Sequence, residues 1–367
     1  GLKKAKILIE KSISKKIPIV IMGDYDADGI CATSILYNFL AKELGYDYTF
    51  YFIPNRFDHG YGLSRASIDA GIQKVRQSLG KALSSDRILF ISVDSGITSV
   101  EEASYIKRIG HDLIITDHHQ KPEQLPEADV ILWSDAVVGA TISWYLSKVL
   151  GSQNHTSVGL AALATVTDVY SLQGVNRHIV RRGLKVINDT PPPGIKELMQ
   201  ASGLSGKQVS TYELGWSLGP RINASGRLSD GSLAVRLFVE ESPRIRSQIA
   251  EELNKVNLQR QEETLRMYNL LSTHDKPPRI LFEESTDFHE GIIGLVASRL
   301  VRKYYRPSIV VSLSDSHGKG SVRSIPGIDI ISILREFDHL FENLGGHPMA
   351  AGFTIHVDNL SLLRESI

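Results

Sequence analysis

Through the first half of the chain, short runs of β-branched and aliphatic residues alternate with stretches whose apolar positions recur at helical spacing. Ile17–Met22, Tyr48–Ile53, Ile88–Val93, Leu113–Thr116 and Val130–Trp133 are candidate strands. Ile30–Leu44, Ser64–Leu79, Ser99–Ile109 and Thr141–Leu150 carry the helical pattern between or after them. That alternation predicts an α/β fold built on a mostly parallel sheet. Sheets of this kind bind ligands outside the carboxyl ends of their strands. Polar residues unusual for such positions follow four of the five runs: Asp24, Asp26 and Asp28; Asn55 and Arg56; Asp94; and Asp117, His118 and His119.

The helical pattern resumes from Gly159 to Asn188 and stops at Thr190-Pro191-Pro192-Pro193-Gly194. A further helical region leads to Gly219-Pro220-Arg221-Ile222-Asn223-Ala224-Ser225-Gly226-Arg227. Pro243–Ser272 lacks glycine and spaces apolar positions among charges, which predicts one long helix acting as a rod between domains. Beyond Lys276-Pro277-Pro278, a strand at Arg279–Phe282, a helix at Ile292–Tyr304 and a strand at Ser308–Leu313 open a second, smaller α/β unit. A length of 367 residues suits two cores. The expected organisation is a first domain over 1–242, a connecting helix over 243–275 and a second domain over 276–367.

Composition then excludes several classes. With 42% apolar and 22% charged residues the chain reads as an ordinary soluble protein, and no segment approaches the roughly 20 apolar residues of a membrane span. The lone Cys31 leaves no intramolecular disulfide and no thiolate cluster for zinc, which fits a reducing, cytoplasmic compartment. Lys plus Arg equals Asp plus Glu at 41 each, so no net positive field draws in duplex nucleic acid. A local basic groove stays compatible with that balance if many carboxylates are gathered around cations. The chain opens at Gly1 without a methionine and stops at Ile367, so flanking domains are expected on either side.

Gly23-Asp24-Tyr25-Asp26-Ala27-Asp28-Gly29 places three carboxylates within five residues, between an apolar run and a helical one. Like charges this close raise one another's pKa unless cations or donors compensate. A solvated acidic turn or a helix N-cap is the plain alternative. A calcium-binding EF-hand loop fits poorly, because a strand precedes the string and an aliphatic residue stands where the bidentate Glu belongs. Asp94 alone reads as a turn former, the His118-His119 pair as structural, and Asp168, at the end of Ala164-Thr165-Val166-Thr167, as a helix-terminal surface acid. Together they converge on one sheet edge. Carboxylates with an imidazole or two and no sulfur suit Mn²⁺, Mg²⁺ or Fe²⁺. Two such ions about 3.5 to 4 Å apart clamp the attacking and leaving oxygens of a phosphoryl displacement.

These motifs carry a resemblance. Asp24-Tyr25-Asp26-Ala27-Asp28-Gly29, Val93-Asp94-Ser95-Gly96, Asp117-His118-His119 and Thr167-Asp168-Val169 occur in the order of the four signature motifs of the DHH phosphoesterases. Asn55-Arg56 with Gly60-Tyr61-Gly62-Leu63, Gly174-Val175-Asn176-Arg177, the Gly219–Arg227 segment and Glu290-Gly291-Ile292-Ile293-Gly294 resemble the RecJ-type members. Gly345-Gly346-His347-Pro348-Met349-Ala350-Ala351-Gly352 resembles the associated DHHA1 domain. The resemblance implies a DHH domain joined by a long helix to a smaller α/β DHHA1 domain. It also implies metal-dependent 5′ to 3′ exonucleolytic hydrolysis of single-stranded DNA in repair and recombination.

Carried over residue by residue, the resemblance implies Asp26, Asp28, Asp94, His118 and Asp168 as ligands of two divalent ions, Mn²⁺ before Mg²⁺, with Asp94 bridging and Asp24 an auxiliary ligand. Asp94, His118 and His119 form the catalytic set, His119 contacting phosphate. Substrate contacts fall to Asn55, Arg56, Tyr61, Arg221, Asn223, Arg227, Ser321, Arg323, Gly345, Gly346 and His347. Gly318–Ser324 is expected as an anion-binding loop, and the glycines of Gly345-Gly346 as a backbone approach to phosphate. The implied partner is single-stranded nucleic acid, DNA in preference to RNA, with a helicase or single-strand-binding protein as companion. Three departures stand out: Trp133–Gly139 is shorter than the family's loop and lacks its Asn-Pro, His59 replaces an acid, and no oligonucleotide-binding barrel follows residue 357. The rival readings are a DHH phosphodiesterase for short RNA or cyclic dinucleotides, and a non-catalytic replication scaffold. Scaffolds lose metal carboxylates, and this chain keeps them.

Overall fold

The computed structural model describes residues 1–55, 58–59, 62–80, 85–271 and 275–367. Arg56 and Tyr61, expected at the substrate, Gly60 of the same motif and Ser272 at the expected end of the long helix lie outside them.

The apolar runs form β1 (Ile19–Met22), β2 (Thr49–Phe52), β3 (Leu89–Val93), β4 (Asp112–Asp117) and β5 (Val130–Trp133), all parallel, in the order β2-β1-β3-β4-β5. β1, β3 and β4 are buried along their whole lengths, which is why they read as continuous apolar runs. Alternate side chains feed two cores. Ile19, Ile21, Leu89, Ile91 and Ile114 pack with the helices Leu2–Ser14, Ala27–Tyr37, Gly139–Leu150 and Val158–Thr167. Val20, Met22, Phe90, Leu113 and Ile115 pack with the helices Arg65–Leu79 and Val100–Arg108. The chain leaves β1 toward the first core and β3 toward the second. β1 and β3 are neighbours, so the strand order reverses between them, the switch point at which open α/β sheets bind ligands.

The predicted helix Ile30–Leu44 is an α-helix, Ala27–Tyr37, continued by a π-helical turn, Asn38–Glu43. The pattern from Gly159 to Asn188 is two helices, Val158–Thr167 and Gly174–Asp189. The helix Leu2–Ser14 has no counterpart in the sequence reading, because lysines crowd a short apolar stripe whose buried members are Ala5 and Ile9. The long helix runs from Pro243 to Leu270, and the division of the chain into two units, Gly1–Asn257 and Leu258–Ile367, falls inside it.

The second unit contains β6 (Leu281–Ser285) and, after the helix Ile293–Tyr304, the parallel β7 (Ser308–Leu313). β8 (His317–Arg323), β9 (Phe341–His347) and β10 (Ala350–His356) complete the order β6-β7-β8-β10-β9 with antiparallel pairings. Its core is Phe282, Ile309, Val311, Val322, Ile330, Leu334, Ile355 and Leu363. Two expectations change here. Gly318–Arg323 is strand rather than anion-binding loop, because Val311, Val322 and Phe353 need partners across β7, β8 and β10. A Cβ on Gly320 would lie 2.1 Å from the Phe353 ring, so that glycine makes room for a core aromatic. Gly345-Gly346-His347 likewise ends the edge strand β9.

Candidate metal centre

After β1 the chain turns sharply into the helix Ala27–Tyr37, and the turn chemistry sets the acids. Asp26 is the N-cap: its carboxylate accepts from the Asp28 and Gly29 N–H groups at 2.9 and 3.0 Å. Asp28, inside the first turn, reaches the start of the helix Gly139–Leu150 and accepts from the Gly139 and Ala140 N–H groups at 2.7 Å each, where the helix dipole favours a negative charge. A Cβ on Gly29 would come within 2.6 Å of the Asp24 backbone, and one on Gly139 within 2.8 Å of the Asp94 Cβ. Both positions require glycine for this approach.

Asp94, at the end of β3, has φ 60°, a left-handed conformation uncommon outside glycine. Its carboxylate bonds His118 Nε2 at 2.9 Å. The same nitrogen lies 3.5 Å from Asp28 and 3.8 Å from Asp168, which caps the end of the helix Val158–Thr167. On its other side, His118 Nδ1 meets the Tyr170 hydroxyl at 2.6 Å. Asp117 ties the turn after β4, accepting from the N–H groups of Ile97, His118 and His119 and bonding His119 Nδ1 at 2.8 Å.

The ligand atoms gather in overlapping sets, each within 4.8 Å: Asp24, Asp26 and Asp94; Asp28, His118 and Asp168; and Asp94, Asp117, His118 and His119. Burial, with the charges of Asp28, Asp26 and Asp24, pushes Asp94 well above the usual carboxylate range. Burial raises Asp28 to about 6 and, helped by Asp28 and Asp26, Asp168 to about 8. Burial and the neighbouring His119 lower His118 to about 4. Burial also opposes a charged His119, yet the Asp117 hydrogen bond and charge outweigh it and raise His119 to about 9. The result is a buried group of mutually repelling carboxylates around a neutral imidazole, beside a fixed imidazolium–carboxylate pair. Oxygen and nitrogen donors in this state suit a divalent cation, which would take the place of the protons that repulsion otherwise recruits.

The six residues expected to ligate metal, Asp24, Asp26, Asp28, Asp94, His118 and Asp168, stand at this one sheet edge. Asp117 was singled out in the sequence without a role, and Tyr170 was not singled out. Asp117 stands out as an acid directly before two histidines at a strand end, whereas nothing local marks Tyr170. Asn223 is engaged with protein: its Oδ1 accepts from the Ala27 N–H at 2.7 Å, pinning the acidic turn to the helix Gly219–Leu228. Arg221 and Arg227 lie half-buried on that helix. Its Gly226 packs so closely on Tyr25 that a Cβ would lie 2.4 Å from the Tyr25 carbonyl oxygen. Asn55 follows β2, its N–H donating to His59 Nδ1 at 3.2 Å.

In the second unit, pairing puts Arg323, Ala350 and His347 side by side across β8, β10 and β9, and Ser321, Gly352 and Gly345 side by side one step away. Cross-strand partners share a face, so Ser321, Arg323 and His347 border two glycines that leave the sheet surface bare. Arg323 donates to Ser321 Oγ and to the Val322 carbonyl, and faces the first turn of the helix Ile293–Tyr304, where a Cβ on Gly294 would lie 3.0 Å from its Nη2.

Residues 18–170 match the DHH family, N-terminal domain, and residues 278–367 the DHHA1 domain. The chain is 33% identical to the single-stranded-DNA-specific exonuclease RecJ of Bacillus subtilis over 383 residues, all of this chain and 47% of the relative. It is 31% identical to the RecJ of Escherichia coli over 405 residues, all of this chain and 68% of the relative. It therefore spans about half the length of the first relative and two thirds of the second. A crystal structure of exonuclease RecJ bound to manganese superposes with a TM-score of 0.85 at 31% identity, covering 100% of this chain and 93% of that one. RecJ of Thermus thermophilus in complex with Mn²⁺ gives a TM-score of 0.85 at 30% identity, covering 100% and 53%. With identity of this order sustained from end to end and the fold superposing over the whole chain, the protein belongs to the RecJ family of DHH and DHHA1 domain proteins.

Proposed function

We propose that the chain is a divalent-metal-dependent exonuclease that hydrolyses the phosphodiester bonds of single-stranded DNA from the 5′ end, releasing mononucleotides. The observation that carries this reading is the convergence of five buried or half-buried carboxylates and a neutral imidazole on one switch point, a charge arrangement that calls for cations. Asp26, Asp28, Asp94, His118 and Asp168, with Asp24 as auxiliary, would hold two ions, Mn²⁺ before Mg²⁺. Bound there, such ions would supply Lewis-acid polarisation of the phosphate and acidify the attacking water.

The protein's own groups do the rest. The Tyr170 hydroxyl can donate to or accept from His118 Nδ1, so it fixes the ring while allowing the tautomer whose Nε2 lone pair faces the carboxylates. His119, kept cationic at neutral pH by Asp117, presents positive charge for the phosphate's non-bridging oxygens. Asn223 holds the acidic turn in place. In the second unit, Ser321, Arg323 and His347 around Gly345, Gly346 and Gly352 suit a terminal phosphate, with charge-assisted hydrogen bonds from the guanidinium. A role in repair and recombination, a cytoplasmic location and a helicase or single-strand-binding companion go with this reading.

The test is a time course on end-labelled single strands with and without a 5′ phosphate, beside dinucleotides and cyclic dinucleotides, in Mn²⁺ and in excess chelator. Mononucleotides released first from the 5′ label, only with metal, are expected. Full activity in chelator, first release from a 3′ label, or preference for dinucleotides would each refute the corresponding part.

A further inference from the structure

The segment between the metal centre and the long helix carries a surface feature that the catalytic reading leaves unused. Ser210 and Glu213 close a capping box around Thr211–Glu213, and the chain continues as a π-helical turn, Leu214–Leu218. Leu214 and Leu218 are fully buried and anchor the turn. Tyr212 and Trp216 point the other way, each 66% exposed, with ring centroids 6.4 Å apart and planes inclined by 31°. Trp144 is buried and Trp133 is half-buried, so Trp216 is the one tryptophan standing mainly in water. Single exposed apolar residues are ordinary on a protein surface. Two neighbouring aromatics this exposed, on a turn pinned from beneath, are not.

The turn also abuts the metal centre. A Cβ on Gly215 would touch Val166 at 3.5 Å, and one on Gly219 would overlap Thr167, so the turn lies against the last residues before Asp168. Next to Trp216, Ser217 accepts from Arg221 Nη1 through its carbonyl at 2.6 Å and its hydroxyl at 3.2 Å, and Asn254 accepts from Nε at 3.0 Å. These bonds fix the guanidinium plane and leave the two Nη2 hydrogens. The half-buried Arg221 thus spends Nε and Nη1 on neutral oxygens of Asn254 and Ser217.

We infer that Tyr212, Trp216 and Arg221 form a nucleotide subsite beside the metal centre, where a base of a single strand stacks on the aromatic pair and the adjoining phosphate pairs with Arg221 Nη2. The inference rests on the nuclease reading and on the resemblance that already gives Arg221 as a substrate contact, and what it adds is the exposed pair Tyr212 and Trp216. Every base has a π-face, so such a subsite is indifferent to sequence, and a duplex, whose bases are already stacked, cannot use it. It adds grip to strands of several nucleotides. Asn254 and Ser217 are positioning residues that act through Arg221.

The full chain in excess chelator, where no strand is cut, is titrated with a fluorescein-labelled oligothymidylate, reading anisotropy and tryptophan emission. Oligothymidylate quenches the emission of the wild type. Trp216→Ala loses that quenching and weakens binding by about 5- to 100-fold, the range set by one stacked base. Trp216→Phe restores most of the binding. Tyr212→Ala weakens it in the same direction, and Arg221→Gln lowers the slope of log affinity against log salt by about 0.7, one phosphate contact. Oligothymidylate affinity unchanged in Trp216→Ala, with an unaltered melting temperature, overturns the subsite, as does equal quenching by single strand and duplex. Strand cleavage in Mn²⁺, measured separately on the wild type, tests the nuclease reading. A chain that binds through Trp216 without cutting keeps the subsite and loses that reading.

Discussion

The first unit and the second meet negative charge in opposite ways. Beyond the ends of β1 and β3 and at the end of the helix Val158–Thr167, acids are forced together: Asp94, Asp28 and Asp168 all sit above their ordinary pKa because burial and neighbouring carboxylate charge oppose ionisation. On the second sheet, side chains are removed instead. Gly345 and Gly352 leave bare strand between Ser321, Arg323 and His347, and Arg323 is a largely enclosed guanidinium bonded to a hydroxyl and a carbonyl. Repelling carboxylates need a stiff scaffold, and they are set by the fully buried β1 and β3 and by the ends of the two buried helices Ala27–Tyr37 and Val158–Thr167. The proposed phosphate site needs access and one or two cations, which the glycines of β9 and β10 beside Arg323 of β8 would supply. The contrast implies that ligand loss in the first unit abolishes turnover while stabilising the fold, and that cation loss in the second changes which ends are accepted.

The largest effect expected is at Asp94. Asp94→Asn, which tolerates the left-handed φ better than Ala would, lowers strand hydrolysis by about a thousandfold or more if Asp94 is the shared ligand proposed above. In the metal-free state the same variant melts higher than wild type, because a buried carboxylate opposed by Asp28, Asp26 and Asp24 is gone. Turnover within tenfold of wild type, or a lower metal-free melting temperature, breaks the contrast.

How much of this the sequence disclosed follows the same division. In the first unit, the fully buried β1, β3 and β4 read as uninterrupted apolar runs and the half-buried β2 and β5 as short β-branched or aromatic ones. Acids placed directly after them stood out against that background, so the strands and the metal-ligand candidates were legible. Asp117 stood out as well, but its role as the anchor of His119 is a matter of geometry. Tyr170 owes its position to the break between two helices that the periodicity fused into one. In the second unit, glycine-rich runs carry the same letters whether they form a loop or a strand. Gly320 is there because of the Phe353 ring, and only pairing across β8 and β10 reveals it.

Arg323→Ala tests the other half of the comparison. Losing a charge-assisted hydrogen bond of about 1.5 to 3 kcal/mol raises the KM for a 5′-phosphorylated strand by about 10- to 100-fold, leaves bound manganese at wild-type level and shrinks the advantage of the phosphorylated end. His347→Ala acts in the same direction with a smaller effect, since its ring lies exposed at the sheet edge. Equal losses on phosphorylated and unphosphorylated strands would show that this face does not read the terminus.

A smaller change is expected at Tyr170. Without its hydroxyl, His118 Nδ1 loses the partner that fixes the ring, so Tyr170→Phe weakens Mn²⁺ binding by about tenfold. Saturating metal then restores most of the rate. A rate that metal cannot rescue would assign the hydroxyl to the reaction itself rather than to orienting the imidazole.

The smallest effect, a few degrees of melting temperature, sharpens the contrast most directly, because it reads the repulsion without any substrate. In the metal-free chain, Asp28 at about 6 and Asp168 at about 8 bind protons more tightly folded than unfolded, where a carboxylate titrates near 3.8. Groups raised in this way contribute stability that is complete below the unfolded value and is lost as pH rises through the folded one. Between pH ~5.5 and ~8.5 the chelator-treated protein therefore melts progressively lower. Saturating Mn²⁺ competes with protons for the same oxygens, so its stabilisation grows over the same interval and the slope flattens or reverses. Asp117, which burial would raise but its His119 and backbone hydrogen bonds hold low, titrates the opposite way, with its contribution already complete throughout this window. His118, lowered to about 4, works against the fall at the acid end, and His119, raised to about 9, adds to it at the alkaline end. Asp168→Asn should make the upper part of the metal-free curve less steep, since its group at about 8 titrates there beside His119 at about 9 and the raised Asp94. A metal-free melting temperature that climbs from pH ~5.5 to ~8.5 would mean that the carboxylates are not opposed in the folded chain. The first unit would then have to be read as a solvated acidic edge rather than as a site built to be filled by cations.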